Sequence, residues 1–253
     1  MWYVTGDTHG NIKRFTSLID PCMKQGDVII VLGDWGFIFE PNESKEMFMD
    51  WLEQERDYYN ICFVDGNHEN FDRLNTEYPV EIWNGGKVHR IRRNIRHLMR
   101  GQVYTVPELG NKRIFTMGGA YSFDAAKRME GCDWFPAEMP CQAEYDEAQD
   151  NLQKADYQVD YILTHACPEN TLPFFAADYY PKMRSLTEPH EKPISNFLQW
   201  IAETVSYSRW YFGHMHKDRE LWKNQTVVLN AVRELETGKM VNEEAISAGE
   251  WCL

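Results

Sequence analysis

Asp7 and His9 stand two residues apart, directly after the apolar run Trp2-Tyr3-Val4. A carboxylate oxygen and an imidazole nitrogen on one turn can reach a single cation. That mixture suits manganese, iron or zinc better than magnesium or calcium, which prefer all-oxygen shells. Asp34 follows a second run, Val28-Ile29-Ile30-Val31-Leu32, and its two carboxylate oxygens could bridge two cations. Asn67 offers a neutral carbonyl oxygen after Ile61-Cys62-Phe63-Val64. His165 follows Tyr161-Ile162-Leu163, and His214 and His216 follow Trp210-Tyr211-Phe212, adding three imidazoles. Each fragment is weak alone, because an Asp-x-His tripeptide is often only a turn with an Asx hydrogen bond. Together they are not: five of the eight histidines fall at the ends of apolar runs, beside Asp7, Asp34 and Asn67.

Something must hold these ends together. Short β-branched or aromatic runs without alternation are the pattern of strands buried on both faces. Helical signals lie between them. Ser44 is expected to cap a helix with Met47, Phe48, Trp51 and Leu52 inward, and Pro140 to open another with Tyr145, Ala148 and Leu152 inward. The acidic residues of that second segment read as its solvated face. A third helix is expected from Ser195 to Thr204. The reading is an α/β sheet protein, whose ligands collect beyond the carboxyl ends of its strands. Gly6 and Gly10 are expected to let the chain turn sharply around Asp7 and His9.

The chain of 253 residues carries a formal charge of −13, which argues against tight non-specific binding to duplex DNA or anionic membrane. No apolar run approaches transmembrane length. The six cysteines include no C-x-x-C pair, and the chain opens as Met1-Trp2-Tyr3 without a signal-like segment, so a cytoplasmic protein without disulfides is expected. One domain over 1–253 is expected. The densest basic run, His89 to His97, reads as a hairpin turning near Arg93-Asn94 with its arginines solvated or paired to surface acids, rather than as a nucleic-acid grip. The aromatic and proline-rich stretch 168–193, with Phe174, Phe175, Tyr179, Tyr180 and Pro181, is expected to be a loop beside the site.

The ordered series Asp7-x-His9, Gly33-Asp34, Gly66-Asn67-His68-Glu69, His165 and Gly213-His214-x-His216 resembles the calcineurin-like metallophosphoesterases, over positions 6 to 216. The resemblance implies a four-layer α/β/β/α sandwich, two mixed β-sheets packed face to face with helices outside. It implies Asp7, His9 and His216 on one divalent metal, Asn67, His165 and His214 on another, and Asp34 bridging them. It also implies His68 as a non-ligand that protonates the leaving oxygen or steadies the phosphate. Two cations about 3.5–4 Å apart lower the pKa of a bridging water to give an attacking hydroxide, and clamp the phosphoryl oxygens. Glu69 and Asp65 are expected to orient histidines.

Gly33-Asp34-Trp35-Gly36-Phe37-Ile38 lacks the further Asp and Arg of the phosphoprotein-phosphatase branch, so a bacterial- or phage-type member is expected. Arg73 and Arg128 are candidates to contact substrate in place of the lost arginine. The substrate class stays open among phosphorylated small molecules, nucleotides and phosphoproteins. The alternatives are a nuclease or cyclic-nucleotide phosphodiesterase on the same metals, which diester preference would reveal, and a non-catalytic scaffold, which would neither bind metal nor hydrolyse esters.

Overall fold

A computed structural model describes residues 1–175 and 182–249, with side chains of 182–189 left aside. Seven strands form one sheet in the order β13-β1-β2-β3-β6-β5-β4: β1 Trp2–Thr5, β2 Val28–Leu32, β3 Asn60–Val64, β4 Val80–Trp83, β5 Gly86–Arg92, β6 Ile95–Leu98 and β13 Arg233–Glu234. Six form the other in the order β11-β12-β10-β9-β8-β7: β7 Gln102–Val106, β8 Lys112–Met117, β9 Tyr161–Thr164, β10 Arg209–Phe212, β11 Arg219–Glu220 and β12 Gln225–Val227. Both sheets are mixed. β1, β2, β3 and β6 pair in parallel, as do β8, β9, β10 and β12, while hairpin partners and β13 run antiparallel.

The uninterrupted apolar runs reflect burial on two faces. Val28, Ile30 and Leu32 of β2 point between the sheets, where they meet Leu163 and Tyr211 of the other sheet in one cluster. Ile29 and Val31 point the other way, toward Phe48, Met49 and Leu52 of α2 (Glu43–Glu55) and Phe71 and Leu74 of α3 (Phe71–Thr76). Across the molecule, Ile162, Trp210 and Phe212 pack on Ala148 and Leu152 of α4 (Gln142–Lys154) and on Ile194, Leu198 and Ile201 of α5 (Lys182–Thr204). A short turn α1 (Ile12–Arg14), continuing through Phe15–Ile19, and α6 (Glu243–Ser247) complete the first helical layer. This is the expected α/β/β/α sandwich.

Several boundaries differ from expectation. Asn42, not Ser44, caps α2 by accepting from the Lys45 amide at 3.1 Å, and the helix packs with Met47 64% exposed and Met49 inward. Helix α4 is capped by Cys141, one residue after Pro140, with Ala148 and Leu152 buried as expected. Helix α5 begins at Lys182, not at Ser195, whose hydroxyl donates to Glu169 at 2.9 Å from within the helix. The stretch 168–193 is thus not a loop throughout, since it contains a 3₁₀ segment Glu169–Phe175 and the start of α5. Tyr179, Tyr180 and Pro181 lie outside the described residues. The basic run is the expected hairpin, β5 to β6. Arg90 pairs with Glu81, Arg92 with Glu46 and Asp50, and Arg93 with Asp57. Among the described residues no helix is long and apolar enough to cross a membrane.

Candidate metal centre

Parallel strands send their carboxyl ends to one edge of each sheet, and the expected residues collect there. Four of them sit in left-handed backbone: His9 (φ 49°), Asp34 (48°), His214 (62°) and His216 (48°). Such φ values are uncommon outside glycine and cost about 1–3 kcal/mol each. The surroundings hold them. The His9 amide donates to the Asp34 carbonyl at 2.7 Å, and the Gly10 amide to Trp35 at 2.9 Å, zipping the turn after β1 to the turn after β2. The His214 amide donates to Asp7 Oδ1 at 2.9 Å.

Asp7, His9, Asp34 and His216 each bring a possible ligand atom, all within 4.8 Å of one another. His9 Nε2 lies 3.4 Å from His216 Nε2 and 3.6 Å from Asp34 Oδ2. The other Asp34 oxygen, Oδ1, lies 3.5 Å from His165 Nε2, which is itself 3.2 Å from Asn67 Oδ1. Asp34 therefore faces two groups of donors, one with each oxygen. The His214 ring packs edge-on against His165 with centroids 4.9 Å apart. All seven expected residues are brought together.

The donors fit a divalent cation. Asp7 is fully buried, and its Oδ2 has no hydrogen-bond partner, a costly state for a carboxylate unless a cation faces it. Burial alone would lift the Asp34 carboxyl, yet His165, His68, His9 and the His68 amide hold it well below its ordinary value. Burial opposes a proton on His165, but Asp34 and Asp7 hold its pKa above the ordinary value, so these carboxylates call for positive charge. Burial keeps His214 and His216 below theirs, leaving neutral imidazoles with lone pairs to offer. His165 Nδ1 lies 2.7 Å from the Leu32 carbonyl, an acceptor only, so Nδ1 carries the proton and Nε2 is the free ligand atom.

His68 lies beside this group. Its amide donates to Asp34 Oδ1 at 2.8 Å, and its ring stands edge-on to His9. Burial lowers its pKa, with Asp34 opposing and Arg128 reinforcing. Arg128 Nη1 is 3.1 Å from His68 Nδ1. Arg73 is occupied differently: it bonds Glu46, Glu77 and the Ile38 carbonyl, tying α2 to α3. Of the two residues expected to orient histidines, Asp65 does so for His97, outside the candidate ligands, and Glu69 does not. Asp65 accepts from His97 and Arg100, and Glu69 accepts from the Trp35 amide at 2.6 Å, bracing the turn after Asp34.

Sequence reasoning missed four supports. Asn67 Nδ2 donates to Ser122 Oγ at 3.0 Å, and Ser122 donates to buried Glu138 at 2.6 Å, which leaves Asn67 Oδ1 facing His165. Buried Arg14 donates to the carbonyls of Gly6, Asp7 and Leu229 beneath the first turn. Buried Glu191 brings Oε1 within 3.9 Å of His214 Nε2 while Oε2 has no partner, and burial pushes its pKa up to about 7. Apart from the Gly6 and Asp7 carbonyls under Arg14, their partners lie 16 to 215 residues away, and only the Gly-rich stretch leading to Ser122 carried any local signal. The glycines also serve a purpose other than the one expected at Gly6. A Cβ there would sit 2.0 Å from the Val228 carbonyl oxygen, so close approach, not turning, requires glycine. Gly10 does turn, with φ 65°.

No curated protein matches the chain. The family profile described as calcineurin-like phosphoesterase matches residues 3–218, which include every residue of the cluster. A fold of two mixed sheets, a buried Asp/His/Asp/His group at the strand ends, and that match over most of the chain lead to one conclusion: the protein belongs to the calcineurin-like phosphoesterases and is a metal-dependent phosphoesterase.

Proposed function

We propose that Asp7, His9 and His216 hold one divalent cation, that Asn67, His165 and His214 hold a second, and that Asp34 bridges the two. The observation that carries this reading is Asp34 itself, with Oδ2 toward His9 and Oδ1 toward His165. The mixed oxygen and nitrogen donors favour manganese, iron or zinc. When bound, the cations supply charge neutralisation at the phosphoryl group and an activated water as nucleophile. The chain's own work is orientation. Glu138 and Ser122 aim Asn67, the Leu32 carbonyl fixes the His165 tautomer, and the Asp7 carboxylate pins the His214 turn. His68 stands at the leaving-group side, and Arg128 beside it supplies a cation for an anionic substrate.

The substrate we infer is a small phosphate ester outside the phosphoprotein-phosphatase range. Trp35, Phe37 and Ile38, at the positions after Asp34 where that branch carries polar substrate contacts, are fully buried in the core beneath the first sheet. Arg90, Arg92 and Arg93 of the β5–β6 hairpin are engaged with acids and Arg96 with Asn60, which disfavours a nucleic-acid backbone as ligand. A single domain is supported by the central cluster, which takes residues from Trp2 to Leu235. The free thiols of Cys22, Cys62, Cys132, Cys141 and Cys167 agree with a reducing, cytoplasmic setting. Metal analysis of the purified protein, followed by parallel assays on an aryl phosphate monoester and its diester with added manganese, tests the reading. Two equivalents of metal and faster monoester turnover are expected. Diester preference would move the assignment to a phosphodiesterase, and neither metal nor hydrolysis would defeat it.

A further inference from the structure

The orienting partner of His68 is a cation. Arg128 reaches His68 Nδ1 with Nη1 at 3.1 Å, while its Nε donates to Asp124 Oδ1 at 2.8 Å and Nη1 also meets the Asp133 carbonyl at 3.1 Å. The side chain is held by the loop between β8 and α4 and is only 20% exposed. A guanidinium has donors and no acceptor. His68 Nδ1 must therefore offer its lone pair to Arg128, and the ring proton must sit on Nε2. An aspartate in the same place would accept from Nδ1 and favour a ring protonated on both nitrogens. The ring is confined on its other sides by His9, with centroids 5.4 Å apart, and Phe39, at 6.1 Å.

We propose that Arg128 is a positioning residue that holds His68 with Nδ1 as acceptor and Nε2–H as donor, so that His68 directs a hydrogen bond at the departing ester oxygen. Asp124 acts one step further out by holding the guanidinium. The proposal rests on the reading that His68 faces the leaving group.

Ring-nitrogen NMR on zinc-loaded protein with inorganic phosphate present tests it, with His68→Gln used to assign the signals. In the unaltered protein, one protonated nitrogen, Nε2, is expected. Arg128→Met should give a mixture of His68 tautomers and lower kcat about a hundredfold on alkyl phosphates, while aryl phosphates with good leaving groups lose far less. Arg128→Lys should restore much of both properties, and Asp124→Asn, at a more exposed site, should fall between. Protonation on Nδ1, or on both nitrogens, in the unaltered protein would overturn the proposal. So would an Arg128→Met protein whose tautomer and leaving-group dependence are unchanged and whose only defect is a raised KM, since Arg128 would then be a substrate contact alone. The expected tautomer with no hydrolysis of any ester would count against the placement of His68 at the leaving group, while the Arg128–His68 geometry stands.

Discussion

Asn67 donates its side-chain amide to Ser122 Oγ across 3.0 Å, and this bond decides which end of Asn67 faces the metal centre. Ser122 is held in turn by two bonds to Glu138, through its hydroxyl at 2.6 Å and its amide at 2.8 Å. Burial raises the Glu138 carboxyl above its ordinary value, with the bonds from Ser122 pulling the other way. Ser122→Ala removes the acceptor for Asn67 Nδ2 and frees the amide to rotate. Loss of such an outer support costs about 10–100-fold in metal affinity. Titration of metal-free protein with zinc should show one of two binding steps weakened by that factor. Both steps unchanged would mean that Asn67 is not a ligand or is oriented by something else.

Gly33 precedes Asp34 with φ +95°, and a Cβ there would lie 2.0 Å from His165 Nδ1. That nitrogen donates to the Leu32 carbonyl on the same strand. Gly33→Ala would therefore combine backbone strain with a displaced His165. A loss of about 2–4 kcal/mol in unfolding free energy is expected from strain and lost packing together. Metal retention should fall with it, read by denaturant unfolding and metal analysis on the same preparation. A normal midpoint with full metal content would show that the turn relaxes without moving His165.

The strand-end clusters were legible because parallel strands buried on two faces leave unbroken apolar runs, as in Val28 to Leu32, and deliver their succeeding turns to one edge. The caps were less legible. Asn42 and Ser44 are both competent N-caps, and whether Met47 or Met49 reaches the core is set by how the helix is rotated against the sheet, a matter of tertiary packing. Arg14, Glu138 and Glu191 were not legible at all. A buried charged side chain looks like a surface residue until its partner is known, and Arg14 bonds a carbonyl 215 positions away. His68's partner was hidden for the same reason, because Arg128 lies 60 positions on.

Asp34→Ala should abolish metal retention and hydrolysis together. It removes a carboxylate whose two oxygens face the two donor groups, and it deprives the His68 amide of its acceptor. Chelation of the unaltered protein should lower its melting temperature, because a ligand that binds only the folded state stabilises it by about 4 kcal/mol at a thousandfold excess over Kd. Scanning calorimetry with and without chelator reads this. The Asp34→Ala protein should melt at the same temperature in both conditions. A chelator-dependent shift in that variant would show that metal is held without the bridge.

Away from the centre, His89 and His97 stack with their Nδ1 atoms 3.0 Å apart, and His97 Nε2 meets Asp65 Oδ1 at 3.0 Å. Asp65 is held well below the usual carboxylate range; burial opposes this, while Arg100 and His97 outweigh it. The carboxylate accepts only, so His97 donates to it from Nε2, and one proton lies between the two Nδ1 atoms. Burial, then the neighbouring His97, lowers the His89 pKa to about 4, while Asp65 opposes the shift. In the unfolded chain the same imidazole takes up its proton near pH 6.5. Between those values the unfolded state binds more protons, so this group's contribution is complete above pH 6.5 and declines as pH falls toward 4. The decline amounts to about 3 kcal/mol. His89→Gln keeps a donor for His97 but cannot titrate. Urea unfolding at pH 7.5 and pH 4.5 should show a smaller loss of stability in His89→Gln than in the unaltered protein. Equal losses would mean that His89 takes up its proton in the folded state as readily as in the unfolded one.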